Sequence, residues 1–416
     1  MKGLRSYSLI LLLATVTMQA QVPLKEVPEL DFAHFDRNRI ELRGDSSAFE
    51  RFYCKLDSVV NKGEGNLRIM HIGGSHVQAG TLTRQLRSDL LSLGDSLDGG
   101  RGLVFPFSAA KTNNPSSFRT RYEGDWKAVK NVQREPAKRL GLTGMALSTS
   151  DTSAYVKIVL KARNATPDEP EFAFDRVAVL GYPAGDIEPV VQLEAGDTLQ
   201  GIRDEEVSCW FFDLPEALDS VKLAVRGEGE LTLTGIFLDN PSPGISVTGI
   251  GVNGAALTSY AKCEDLERDL GLVDPDLVIF AIGINDAAAP GFSGEVFIER
   301  YKTLVDRIRS VKPDCALLFV TNNDSFRRIR KKGYVVNRNA LSVEKAFFKI
   351  AEDCGGGVWN FFDIMGGLES MRKWETAGLA KRDKIHFTEE GYALVGDLLF
   401  DALMDKFNEY LGRTSR

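Results

Sequence analysis

The chain has 416 residues, 43% of them hydrophobic and 26% charged, a length and balance that bury a large core over two or three units and exclude a mini-protein, general disorder or a fibrous repeat. Its formal net charge is −7, from 51 Lys+Arg against 58 Asp+Glu, so no global positive field draws in a nucleic-acid backbone or an anionic membrane. Four histidines (His34, His71, His76, His386) and five cysteines (Cys54, Cys209, Cys263, Cys315, Cys354), with no Cys-x-x-Cys or His-x-x-x-His spacing, give no zinc module and no structural metal site.

Residues 1–20 read as a removable secretory leader. Met1–Arg5 supplies a basic start, Leu9–Val16 an apolar stretch shorter than a membrane span, and Met18-Gln19-Ala20 a small-residue cleavage point. The competing reading is a membrane anchor or a buried helix. Cleavage removes Lys2 and Arg5, takes the net charge from −7 to −9, leaves no integral membrane span and predicts a secreted or periplasmic protein. Export permits disulfides, but the odd cysteine count leaves at least one thiol without an intramolecular partner, and the spacing predicts no pairing.

Residues 21–35, with Pro23 and Pro28, read as an extended lead-in. Leu67–Ile72 is an apolar run ending at Gly73-Gly74, and Val77–Leu93 then repeats Leu82, Leu86, Leu90 and Leu93 at helical spacing, which predicts a strand, a tight turn and a helix. Between about 112 and 243 the pattern changes to short β-rich segments, Ala154–Leu160, Arg176–Leu180, Val221–Val225 and Leu231–Ile236, separated by turn residues, with no helix predicted. From about 245 alternation resumes: strands at 245–252, 277–282, 316–321 and 357–361, and helices near 256–270, 294–311, 336–353 and 388–411. The fold class expected is α/β, a parallel sheet sandwiched by helices and interrupted by an inserted β-sandwich. The domains are then a leader (1–20), the lead-in and first part of the α/β domain (21–111), the insert (112–243) and the second part of the α/β domain (244–416). Tyr122, Trp126 and Trp210, in or near the insert, are candidates to stack on sugar rings or to fill its core. The basic run Arg327–Lys332 is a solvated loop or a clamp for an anionic substrate.

Four short pieces fall where chemistry is done in a doubly wound fold, at the carboxyl ends of strands. Ser75 follows Gly73-Gly74 at a strand-to-helix turn, a place for a nucleophile whose own N–H faces an oxyanion, or simply for a helix cap. Gly254, in Asn253-Gly254-Ala255, lets a substrate approach its N–H or merely makes a turn. Asn285, in Gly283-Ile284-Asn285-Asp286, carries an amide able to donate to developing negative charge. Asp383-Lys384-Ile385-His386 precedes the last helix, with Thr388 as a candidate N-cap, and has the form of a base held by a carboxylate. His76 is a rival base, pointing awkwardly from the emerging helix, and His71 reads as a satisfied core histidine.

Together, in this order, the four pieces resemble the SGNH hydrolases, the GDSL-type esterases, over about 67–110 and 245–412. The resemblance implies an SGNH/flavodoxin-like fold and a serine esterase that needs no cofactor and no metal. Ser75 would be the nucleophile, His386 the base and Asp383 its orienting carboxylate, with Ser75 N–H, Gly254 N–H and the Asn285 side chain forming the oxyanion hole. The aspartate of the family's Gly-Asp-Ser is replaced by Gly74, and His76 stands where a leucine follows the serine. With export and a β-rich insert, this predicts hydrolysis of O-acyl, specifically O-acetyl, esters on a carbohydrate or peptidoglycan. A lipid-ester hydrolase and a non-catalytic glycan-binding envelope protein that keeps the fold are the alternatives.

Overall fold

Runs such as Leu67–Ile72 and Leu277–Phe280 are largely apolar on both alternating faces, which suits strands covered on both sides. The computed structural model describes residues 21–94, 97–161, 172–193, 196–331 and 333–414; the expected leader at 1–20 lies outside them. Five parallel strands stand side by side in the order Gly244–Gly251, Asn66–Gly73, Leu277–Ala281, Ala316–Val320 and Gly356–Trp359, and Ile40–Arg43 adds an antiparallel edge. Among the parallel strands that spatial order is second, first, third, fourth, fifth, the flavodoxin-like arrangement that opens a crevice between the first and third strands.

Alternation along each strand splits the core. Met70, Ile72, Val278, Phe280, Leu317 and Phe319 face helices Leu266–Val273, Gly294–Val311 and Ala340–Cys354. Ile69, Ile279 and Leu318 face Ser47–Lys62, Thr81–Leu91 and Glu389–Thr414. Helix Ser47–Lys62 and the edge strand are not among the elements expected from sequence. Val77–Leu93, expected as one helix, forms Ser75–Ala79 and Thr81–Leu91 with a break at Gly80. There φ is +84° and a Cβ would meet Pro115 Cβ at 2.7 Å, so the turn between the helices requires glycine. The helix expected near 256–270 is likewise two, Leu257–Tyr260 and Leu266–Val273. The helix expected from 336 starts at Ala340, because 333–336 forms a hairpin strand with Phe326–Ile329.

The second unit is a ten-stranded, β-rich sheet beginning at Gly102–Val104, with no helix among its described residues. Its spine is two long antiparallel strands, Phe174–Gln192 and Ser220–Asp239, which change partners along their length. Ser220–Asp239 pairs in turn with Tyr155–Val159, Met145–Thr149 and Gly102–Val104. Its core is continuous with one face of the parallel sheet. Trp126 and Trp210 are buried in it, so of the three aromatics considered for sugar stacking Tyr122 alone is exposed. No helix among the described residues is long and apolar enough to cross a membrane.

Candidate active site

The crevice between the first and third parallel strands is where the site assembles. Strand Asn66–Gly73 runs directly into helix Ser75–Ala79, and Gly73 makes that junction possible. A Cβ there would lie 2.6 Å from Ala281 O on the neighbouring strand and 2.5 Å from Val77 Cγ2, so only glycine lets strand and helix close together. Tyr260 OH donates to Gly73 O at 2.7 Å and fixes the strand end. Ser75 opens the helix, where backbone N–H groups have no intrahelical acceptor.

Ser75 Oγ lies 2.7 Å from His386 Nε2, and His386 Nδ1 lies 2.8 Å from Asp383 Oδ2. The other carboxylate oxygen accepts from the backbone N–H groups of Ile385 at 2.9 Å and His386 at 3.0 Å. Burial pushes the Asp383 carboxyl up, but the hydrogen bonds from His386 and Ile385 outweigh it and hold the group below the usual carboxylate range. An ionised Asp383 keeps the proton on His386 Nδ1 and leaves Nε2 facing the serine. Thr388 Oγ1 accepts from Gly391 N–H at 3.2 Å, which caps the helix that follows.

The loop carrying this pair is itself pinned. Asn323 Nδ2 donates to Ile385 O at 3.0 Å, Phe326 N–H to Lys384 O at 3.0 Å, and Lys381 N–H to His386 O at 2.7 Å. Sequence reasoning missed Asn323 and Phe326. The one signal for Asn323 was the polar Asn322-Asn323-Asp324 soon after an apolar strand, at the same sheet edge as the other pieces.

His76 is placed otherwise than a base would be. Its Nδ1 lies 2.9 Å from Tyr392 OH and its ring centroid 5.1 Å from that of His386. Burial, and then the neighbouring His386, lowers its pKa to about 3, so it is a neutral ring packed against His386. His71 is buried with Nδ1 2.9 Å from Thr83 Oγ1, but its Nε2 has no partner among the described residues, so it is satisfied by them on one side only.

On the opposite side of Ser75 stands the loop after strand Gly244–Gly251. Asn253 N–H donates to Gln78 Oε1 at 2.7 Å, which ties the loop to the Ser75 helix. Gly254 has φ +80°, and the nearest atom a Cβ would meet there is Val132 Cγ1 at 4.0 Å, which leaves its surroundings open. Asn285 lies in the first turn of helix Ile284–Ala288 and donates one amide hydrogen to Ala255 O at 2.9 Å, leaving its second free to donate. Asp286 accepts from Leu257 N–H, and burial raises its pKa to about 6. A side chain at Gly74 would point between Ala255 O and Asn285 Nδ2, each 3.5 Å from its Cβ. The space of the missing aspartate is therefore bounded by these two groups, which bond to each other.

Residues 237–394 match the GDSL-like lipase/acylhydrolase family. Over that segment the chain is similar to the GDSL-type hydrolases of ester bonds. Gly254, Asn285, Asp383 and His386 lie within the matched segment, and Ser75, ahead of the β-rich unit, lies before it. Over nearly the whole chain the fold is like that of a solved peptidoglycan O-acetylesterase, with 24% identity, 89% of this chain and 99% of that one covered, and a TM-score of 0.71. Looser overlays reach a family two carbohydrate esterase from Cellvibrio japonicus (12% identity, 71% and 99% covered, TM-score 0.27) and a GDSL-like lipase from Bacteroides thetaiotaomicron (16%, 38% and 76%, TM-score 0.31). No curated protein matches the chain.

Proposed function

We propose that this protein is an exported SGNH-type serine esterase that removes O-acetyl groups from a carbohydrate or peptidoglycan through an acyl-enzyme. The observation that carries the reading is the hydrogen-bonded series Ser75 Oγ, His386, Asp383, at 2.7 and 2.8 Å. Ser75 Oγ attacks the ester carbonyl carbon while His386 Nε2 takes its proton. The tetrahedral oxyanion is held by the N–H groups of Ser75 and Gly254 and the second amide hydrogen of Asn285. Collapse breaks the bond to the sugar oxygen, and His386 returns its proton to that leaving alcohol. Water then attacks the acetyl-Ser75 ester, His386 accepting and returning a proton again, and acetate leaves. Asp383 stays ionised throughout and fixes the ring.

The choice of an acetylated glycan is supported by the whole-chain likeness to the peptidoglycan O-acetylesterase, and export by the leader-like residues 1–20. The purified protein is expected to release acetate from acetylated xylan or O-acetylated peptidoglycan. Ser75→Ala should lose about a thousand-fold or more of that rate. Preference for long-chain esters over acetylated glycan would contradict the substrate, and equal rates in the two proteins would contradict the role of Ser75.

A further inference from the structure

We infer that the hairpin Phe326–Val336, with the adjoining Lys381–Lys384 segment, is a docking face for the carboxylate-bearing part of an anionic glycan. This deepens the esterase reading and rests on it for the nature of the reacting site beside that face. Arg327–Lys331 of the basic run lie on this hairpin, which is joined to the His386 loop by the hydrogen bond from Phe326 N–H to Lys384 O, 3.0 Å. Lys384 stands two residues before His386, is held at φ +58°, and is paired with Glu375. Arg328 is directly opposite Tyr334 in the antiparallel register, so both side chains share one face of the hairpin. Lys384 Nζ sits 5.1 Å from the centroid of the Tyr334 ring, so the edge of that exposed face adjoins the loop that holds His386.

Arg328, Arg330, Lys331, Lys381 and Arg382 are exposed, and none has an acidic partner among the described residues. The Nε of half-buried Arg327 is buried with no hydrogen-bond partner among the described residues. Elsewhere basic side chains are commonly matched, as in Lys25–Asp89, Arg37–Asp363 and Arg139–Asp265. On a chain of net charge −7, a group of unmatched cations beside the candidate site makes a local positive field that the rest of the surface opposes. Guanidinium groups bind carboxylates in paired hydrogen bonds, and exposed Tyr334 adds an aromatic ring on the same face, able to lie against a sugar. A neutral glycan would use the ring and leave the cations idle, whereas a uronic acid or lactyl-bearing sugar uses both.

The test is direct binding by the full chain, read by fluorescence anisotropy with labelled oligogalacturonate and a labelled neutral xylo-oligosaccharide of equal length. The carboxylated probe is expected to bind about ten-fold tighter than the neutral one and to lose about ten-fold in affinity between about 50 and 200 mM NaCl. The triple variant R328Q/R330Q/K331Q should lose a similar factor for the carboxylated probe, with R328K/R330K, which keeps the charge but not the paired hydrogen bonds, losing less than the triple variant. Equal binding of both probes, salt-independent binding, or a triple variant that binds like the parent would overturn the inference, as would binding to anionic phosphatidylglycerol vesicles without binding to the carboxylated probe. Anisotropy reads no turnover, so a failure of the serine-esterase reading, seen as absent acetate release, is distinguished from a failure of this one.

Discussion

A Cβ added at Gly73 would lie 2.5 Å from Val77 Cγ2 and 2.6 Å from Ala281 O, whereas one at Gly74 meets nothing closer than 3.5 Å. The two adjacent glycines should therefore differ in tolerance. Gly73→Ala is expected to cost about 1–3 kcal/mol through overpacking, and Gly74→Ala about 0.5 kcal/mol or less, measured by denaturant unfolding of both variants. Equal costs would show that the strand-to-helix junction yields to a methyl group. The glycine pair was legible in the sequence as a tight turn, but not which glycine the turn needs, because the atoms that decide it come from residues 77 and 281. The same holds around the candidate site. Ser75, Gly254, Asn285 and the Asp383/His386 pair each stand in a local pattern at a strand end. Asn323, Gln78 and Tyr392 are ordinary residues in the sequence, and only folding brings them against the 383–386 loop, the loop after Gly244–Gly251 and His76.

Among elements, the strands of the parallel sheet were the most legible, because burial on both faces forces continuous apolar runs that stand out from the helices between them. Helix Ser47–Lys62 was not legible, although Phe49, Phe52, Tyr53, Leu56 and Val59 form its buried stripe at helical spacing; interspersed charges hide the stripe in a segment that resembles a mere approach to the first strand. Strand Asn66–Gly73 also carries a titratable group inside its apolar run. His71 stays neutral down to about pH 3 because burial disfavours its charged form, while an unfolded histidine protonates near pH 6.5. Between those values the unfolded chain binds more protons than the folded one, so this group's contribution to stability grows with rising pH and is lost as pH falls. Asp269, Asp286 and Asp324, raised to about 6 by burial, act in the opposite direction and are common to parent and variant. His71→Gln should therefore fall less steeply in Tm than the parent between pH 6.5 and 4.5. Identical slopes would mean that His71 is solvated or protonated in the folded protein.

For the whole molecule, the expected α/β class with a parallel sheet and an additional β-rich region is the class observed, since the change from helical spacing to short β segments near residue 112 is visible in composition alone. The path of the β-rich unit was not legible. Phe174–Gln192 and Ser220–Asp239 are each one long strand, but in the sequence they look like separate short ones, because glycines and a proline interrupt the apolar pattern at Gly181, Pro183, Gly185, Gly227 and Gly229. The unit enters the chain between Ser75 and the other candidate residues, and the matched family segment begins only at residue 237; the parallel sheet is what returns the two parts to one crevice. The proposed function depends on Ser75 being activated by His386 across that interval. The most direct test is covalent labelling of the intact protein with a fluorophosphonate, read by peptide mass spectrometry. A single adduct on Ser75, formed at least about a hundred-fold more slowly in His386→Ala, is the expected result. No adduct on Ser75, or one formed equally fast without His386, would contradict it.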